Sequence, residues 1–306
     1  MHGLSLKTDT KGEWDFEAAL TYYTFGKDEQ RSPTTALPAA QSGGAGQIAL
    51  ADGNGWRTLD LKADWRPGLE RGRHEASFGY HYDRYTLDSR VFNTANWLNG
   101  GTTTRVSAFA GNTETQALFA QDAWRFAPDW KLTLGGRYER WHAFGGATSN
   151  SSTTVNHATR TENFFSPKAA LALQATPDWL LRASLGRAYR MPTVSELFQG
   201  SISSGAIVNN DPNLKPEKAW SGELTAERNL GHGLLRLSLF QEDAYDALYS
   251  QTNTTVFPTV TNIQNIDKIR TRGVELALQG KDVGLRGLDL SGSVTYADSE
   301  ILKNDK

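Results

Sequence analysis

The chain has 306 residues, 32 basic against 34 acidic side chains, and a net charge of −2, a balance that argues against a nucleic-acid partner held by bulk charge. It contains no Cys, which removes disulfide scaffolds, thiolate metal sites and thiol nucleophiles together. No run of about 18 apolar residues is present, so helical membrane spans are excluded, whereas membrane-spanning strands are not.

Nearly every readable segment alternates with period two, the signature of strands with one apolar and one polar face. Residues 13–25 set Trp14, Phe16, Ala18, Leu20 and Tyr22 against Glu13, Asp15, Glu17 and Thr21. In 56–66, Trp56, Leu59, Leu61, Ala63 and Trp65 are apolar, with Asp60, Lys62, Asp64 and Arg66 between them. The run 73–85 opposes Ala76, Phe78, Tyr80 and Tyr82 to Glu75, Ser77, His81 and Asp83. Further along, Trp130, Leu132, Leu134 and Tyr138 alternate with Lys131, Thr133, Arg137 and Glu139. Trp179, Leu181, Ala183, Leu185 and Tyr189 alternate with Arg182, Ser184 and Arg190. The pattern predicts an all-β fold with about eleven strands, over 12–25, 55–66, 72–85, 112–127, 129–144, 163–176, 178–191, 218–230, 233–249, 269–281 and 287–301.

Short turns (Pro67 to Arg71, Ala127 to Asp129, Thr176 to Asp178, Gly231 to Gly233 and Asp282 to Arg286) alternate with long Gly-, Ser-, Thr- and Asn-rich loops near 26–54, 86–111, 145–162, 192–217 and 250–268. An antiparallel up-and-down meander with its short turns at one end and long loops at the other is the plan of a transmembrane β-barrel. Trp14, Trp65, Trp124, Phe126, Trp130 and Trp179 fall near the short-turn end. Tyr22, Tyr80, Tyr82, Trp141, Tyr189 and Tyr296 fall toward the long-loop end, so two aromatic girdles are expected. The opposite face carries Glu13, Asp15, Glu17, Asp60, Lys62, Asp64, Glu75, Glu223, Glu227, Glu275 and Lys281, which demands a wet lumen or a polar plug. A lipocalin-type barrel would reverse this polarity.

Chemical motifs are few. His2, His74, His81, His142, His157 and His232 lack metal-ligand spacing, no Gly-x-Ser-x-Gly elbow exists, and Gly43-Gly44-Ala45-Gly46 lacks the Lys of a phosphate loop. No metal, cofactor or enzymatic activity is therefore expected. Asn209-Asn210-Asp211-Pro212-Asn213 reads as Asx turn chemistry, with a Ca²⁺ loop as the alternative. Thr193-Val194-Ser195-Glu196 reads as a capping box opening a short helix.

Phe165-Ser166-Pro167-Lys168-Ala169-Ala170-Leu171, Leu181-Arg182-Ala183-Ser184-Leu185-Gly186-Arg187-Ala188-Tyr189-Arg190-Met191-Pro192-Thr193, Glu196-Leu197-Phe198, Asn213-Leu214-Lys215-Pro216-Glu217 and Thr271-Arg272-Gly273-Val274-Glu275-Leu276 follow one another in an order that resembles the C-terminal barrel of TonB-dependent outer-membrane receptors. Leu118-Phe119-Ala120-Gln121-Asp122 and Gly136-Arg137-Tyr138-Glu139 resemble it too. The resemblance implies a 22-stranded barrel around a plug, in the bacterial outer membrane. It also implies energy-coupled uptake of a scarce ligand such as a ferric siderophore or cobalamin, with the TonB complex and outer-membrane lipid as partners. The chain shows no leader, TonB-engaging segment or plug, so residues 1–306 are expected to be part of one barrel domain, with the plug and terminal strands outside it. Ligand contacts are expected from aromatic and Arg side chains of the loops and upper lumen, namely Trp97, Arg105, Trp141, His142, Tyr189, Arg190, Tyr245 and Tyr249. The competing readings are a passive porin, a soluble β-sandwich binding module and a barrel hydrolase.

Overall fold

The computed structural model describes residues 1–69, 72–203, 206–257 and 259–304, with side chains described throughout except at 201–203 and 206–209. The expected short turn at Pro67 to Arg71 therefore ends outside the described residues, as do parts of the expected loops 192–217 and 250–268.

Twelve strands form an antiparallel meander: β1 (His2–Lys7), β2 (Trp14–Thr24), β5 (Gly55–Trp65), β6 (His74–Thr94), β7 (Arg105–Ala127), β8 (Trp130–Ser149), β10 (Arg160–Thr176), β11 (Trp179–Arg190), β14 (Glu217–Asn229), β15 (Gly233–Asn253), β16 (Thr259–Gly280) and β17 (Leu290–Lys303). Each pairs with the strand before and the strand after it in that order. Among the described residues β1 pairs only with β2 and β17 only with β16, so the sheet is an open, curved barrel wall. All eleven expected strands are present. The added one, β1, was missed because its alternation rests on Leu4 and Leu6 among Gly and Ser.

The register fixes which side faces lipid. Leu20, Leu59, Leu61, Tyr80 and Leu118 share one face through the pairs Leu20↔Leu59, Leu61↔Tyr80 and Tyr80↔Leu118. Leu118 is 63% exposed and Leu224 59%, values that no aqueous core would allow but that a hydrocarbon solvent rewards. The reverse face is the tighter one: Thr115, Ala117, Glu139, Thr225 and Ser238 are buried along the concave wall. There Phe119 lies across Gly79 and Phe240 across Gly273, each on the paired strand, so a ring covers the strip of backbone that glycine leaves bare.

Two details depart from the sequence expectation. Strands β6, β7, β8, β15 and β16 run 20 to 23 residues, well past the span of a bilayer, into regions expected as loop. Beyond the lipid no side needs to be apolar, so the period-two signal stops while the hydrogen-bonded ladder continues. The loops also hold local structure: β3 (Glu29–Pro33) and β4 (Gly46–Leu50), a 3₁₀ turn (Ala39–Ser42), β9 (Thr154–Asn156), helix α1 (Val194–Phe198), β12 (Ser201–Ser203) and β13 (Ala206–Asn209). The second departure concerns two aromatics expected on the lipid side, Trp56 on the apolar face of 56–66 and Trp141 in the long-loop girdle. Trp56 stacks on Tyr23, 4.3 Å between centroids, on the concave face, and Trp141 is likewise turned inward, 1% exposed. Both have the opposite parity to their strands' lipid-facing leucines, Leu59 and Leu134, so neither can belong to a lipid girdle.

Candidate functional site: the mouth of the lumen

The long-loop end carries the one large apolar cluster among the described residues: Leu87, Phe109, Trp141, Ala143, Val194, Leu197, Phe198 and Leu214, flanked by Phe164, Met191, Leu248 and Ile263. Four of the buried residues come from the concave faces of β6, β7 and β8, and four from the segment between β11 and β14. To reach β6 and β7 from β11, that segment must cross the inner faces of β10 and β8. It therefore folds into the mouth of the barrel instead of extending into solvent.

The segment is built to do so. Thr193 and Glu196 form the expected capping box: the Glu196 N–H donates to Thr193 Oγ1 at 3.2 Å and the Thr193 N–H to Glu196 Oε2 at 2.8 Å. Arg190 Nη2 adds a 2.7 Å ion pair to Glu196 Oε1. Burial is the largest single influence on the Glu196 carboxyl and pushes its pKa up. The Thr193 N–H and the Arg190 guanidinium together outweigh it, so the group stays below the usual carboxylate range.

Phe198, 2% exposed, closes the helix onto a floor of glycines. Between β7 and β8 the register slips so that Gly145 and Gly146 oppose the single Gly111, a bulge with Gly145 at φ +64°. A Cβ at Gly111 or Gly146 would overlap the Phe198 ring. The ring also stacks on His157, 5.7 Å between centroids. Arg160 ties the far side down: its Nη1 donates to the Pro212 and Leu214 carbonyls at 2.9 Å each, while its guanidinium lies 5.2 Å from the Trp141 ring. Buried Asn265 accepts from the Lys215 N–H at 2.9 Å and donates to the Lys215 and Asp246 carbonyls at 2.9 and 2.7 Å. In the Asn210–Asn213 stretch the Asn213 N–H donates to Asp211 Oδ1 at 2.8 Å, an Asx turn, while Asn210 Nδ2 donates to the Leu197 carbonyl at 2.5 Å and ties the stretch to the helix.

The eight residues expected to contact ligand fall into separate places. Trp141 and Arg190 belong to the mouth assembly, where Trp141 is a packing element. Trp97 is half-buried between loops, with Nε1 donating to the Ala40 carbonyl at 3.0 Å, and Arg105 Nε donates to the Asn150 carbonyl at 3.0 Å. His142 faces outward, stacked on Phe144 at 4.6 Å. Tyr189 and Tyr245 also lie on the outer face, beside Arg187 and between Lys218 and Lys268 respectively. Tyr249 is exposed on β15, four residues beyond Tyr245 and on the same face. Sequence reasoning missed Phe198, His157, Arg160 and Asn265 as the elements holding the mouth. The available signal was glycine at 111 and 146 inside strand-like runs, which marks a close approach. Among the described residues no group of three or more His, Asp or Glu is arranged to hold a metal.

A family model described as TonB dependent receptor-like, β-barrel, matches residues 1–306. The chain is similar to the iron-regulated outer membrane virulence protein of Vibrio cholerae serotype O1, 26% identical over 241 residues, covering 75% of this chain and 32% of the relative. It is also similar to the probable TonB-dependent siderophore receptor PiuA of Acinetobacter baumannii, 24% identical over 267 residues, covering 83% of this chain and 32% of the relative. The chain thus spans about a third of the length of these curated relatives. Among solved structures it superimposes on the copper transporter OprC with a TM-score of 0.70 at 15% identity, covering 98% of this chain and 46% of that one. It superimposes on the ferric citrate transporter FecA with a TM-score of 0.65 at 18% identity, covering 98% and 42%. At such identities these superpositions establish the fold. The lipid-facing leucines, the charged concave wall and the family match over every residue lead to one conclusion: this chain belongs to the TonB-dependent receptor-like β-barrel family of the bacterial outer membrane, a family of receptors and not of enzymes.

Proposed function

We propose that residues 1–306 form a wall segment of a receptor that takes up a scarce iron chelate of the ferric siderophore class. Uptake is driven through the TonB complex, and a plug and further strands complete the barrel. The observation that carries this reading is the inward-folded mouth segment on a charged concave wall. A wide lumen whose entrance is narrowed by a pinned loop suits capture of a bulky polar ligand better than passive sieving. The names of the relatives, one iron-regulated and one a siderophore receptor, support iron over other cargo. In this reading Trp141 and Arg190 hold the mouth segment, while ligand is met by side chains at the long-loop end above it, Trp97 and Arg105 among them.

The test is uptake of ⁵⁵Fe presented on a panel of siderophores, by cells making the full receptor, with and without a functional TonB complex. TonB-dependent accumulation with at least one ferric siderophore is expected. Uptake that persists without TonB and scales with solute size instead would establish the porin reading.

A further inference from the structure

Charge on the concave wall is uneven. Most of its cations are neutralised where they stand: Lys62, Arg137 and Arg236 lie 2.9, 2.8 and 2.9 Å from Asp64, Glu139 and Glu227, and Arg66 is paired with Asp15. On β14, β15 and β16 acids prevail, and Glu223, Glu242 and Glu275 accept from the hydroxyls of Thr225, Ser221 and Thr295 at 2.5, 2.8 and 3.0 Å. Three cations on β8, β10 and β11 break this pattern. Among the described residues, Lys131, Lys168 and Arg182 have no carboxylate partner.

The register brings these three onto one strip. Lys131, Ala172 and Arg182 form a row across β8, β10 and β11, and Gly135, Lys168 and Gly186 form another, about 13 Å nearer the mouth at four residues' rise. Parity sets them opposite Leu134, Leu171 and Leu185 and on the same face as buried Glu139 and Thr225, so all three point into the lumen. Between the two rows stand the small residues Thr133, Ala170 and Ser184. A Cβ at Gly135 would come within 3.0 Å of Lys168 Cε, so the bare backbone is what lets the lysine lie along the wall. A groove of about 340 Å³ runs between Lys168 and Ser221 over Ala170, Ser184, Gly186 and Ala188. Four residues beyond Gly186 stands Arg190, which holds the mouth segment through Glu196. Since that segment crosses the inner faces of β10 and β8, the basic strip begins beneath the mouth and continues to the short-turn end.

An anion entering a lumen lined elsewhere by carboxylates is repelled from every side but this one. A cation already paired offers it little, whereas an unpaired ammonium on a flexible stem binds without a fixed geometry and lets go as easily. Small side chains beside the cations leave room for a bulky solute. We propose that this strip of β8, β10 and β11 is the track along which an iron chelate of net negative charge descends from the mouth, meeting Lys168 first and then Lys131 and Arg182. The proposal rests on the uptake reading and adds to it the charge of the cargo and the wall it follows. The groove beneath the mouth distinguishes a passing solute from the other possible occupant, an acidic face of the plug, which would close that space in every state.

The chain has no Cys, so a single thiol can be placed in the groove. Cells making the full receptor with Ser184→Cys, and with any Cys outside residues 1–306 replaced by Ser, are treated with thiosulfonate reagents bearing either a sulfonate or a quaternary ammonium. With TonB functional the sulfonate is expected to react about tenfold faster, and K131Q/K168Q/R182Q to abolish that preference. In parallel, ⁵⁵Fe is offered as trianionic ferric tricatecholate or as a neutral ferric trihydroxamate. TonB-dependent uptake of the tricatecholate is expected, and the triple variant should slow it about fivefold while leaving binding to de-energised cells unchanged. K131R/K168R/R182K should preserve the rate, as should R228Q, whose side chain lies on the outer face 5.4 Å from the Trp179 ring. Folding of each variant is checked by heat-dependent mobility on a gel, and the single K168Q supplies the same comparisons if the triple variant unfolds. Uptake of the neutral chelate alone, wild-type rates in the triple variant, or equal reaction with both reagents would overturn the track and leave the receptor reading standing. A thiol shielded from both reagents with and without TonB would assign the cations to the plug and overturn it too. Absence of TonB-dependent uptake of any chelate would instead defeat the receptor reading, and the track with it.

Discussion

Truncating Phe198 to Ala should release the mouth segment while leaving the barrel wall intact. The ring is 2% exposed, lies on Gly111 and Gly146, and stacks on His157. Removing a buried phenyl group costs about 3–5 kcal/mol where the surroundings cannot collapse, and a glycine floor has no side chains to move inward. The loss falls on docking of residues 191–203 and 206–216, because the strand ladders beneath keep their own interstrand hydrogen bonds without the ring. Amide exchange across that segment in the full receptor should accelerate roughly 10²–10³-fold at a tenfold change per 1.4 kcal/mol, or until the segment exchanges as an open loop. Exchange in the β7–β8 ladder near Leu118 and Leu134 should stay unchanged. The glycines offer a reciprocal check. Gly111→Ala places a methyl where the ring lies, so it should undock the segment by itself yet add little to Phe198→Ala, and the two effects should be strongly non-additive. Unchanged exchange over 191–216 in the Phe198→Ala protein, or simple additivity with Gly111→Ala, would refute the anchoring argument.

Glu196→Gln keeps an amide oxygen for the Thr193 N–H but loses the charge paired with Arg190, and should loosen the same segment by about 0.2–1 kcal/mol, again read by exchange. The Glu196 pKa lies below its ordinary 4.5, so its contribution is complete above that value and fades as pH falls through the lower folded-state value. Acidification below pH 4.5 should therefore bring wild-type exchange toward that of Glu196→Gln, while the variant itself responds less in that range. Asn265→Ala leaves the Lys215 N–H and two carbonyls without their partner, at a cost of about 1–3 kcal/mol, and should raise protease sensitivity near Lys215. Leu118→Arg or Leu224→Arg, mid-strand on the lipid face, should destabilise folding into vesicles by about 2–4 kcal/mol in denaturant titrations. Glu223→Gln, one residue away on the concave side, should have a far smaller effect.

Much of the wall was legible in the chain itself. Period-two alternation through Leu59 and Leu61 or Leu132 and Leu134 specifies a strand and its faces without reference to partners. Lipid imposes the same demand at every position of a span, so the signal repeats from residue to residue. Inverted polarity, charged where a soluble protein would be dry, identified the solvent on each side. The alternation of short turns and long loops set the order of pairing.

What the tertiary structure decided lies where those demands lapse. Past the bilayer neither face must be apolar, so the upper thirds of β6, β7 and β15 carry no periodic signal and became visible only through their ladders. Trp56 and Trp141 are aromatic near the membrane boundary, yet one step of parity turns each into the lumen, and parity near a bulge is set by pairing. The mouth assembly joins Phe198 to Gly111 and Gly146, and Asn265 to Lys215, contacts between residues about 50 or more positions apart. The unpaired cations Lys131, Lys168 and Arg182 are likewise separated in the chain and come onto one strip only across the ladders of β8, β10 and β11. Local sequence specifies what each strand must face; register alone determines which residues become neighbours.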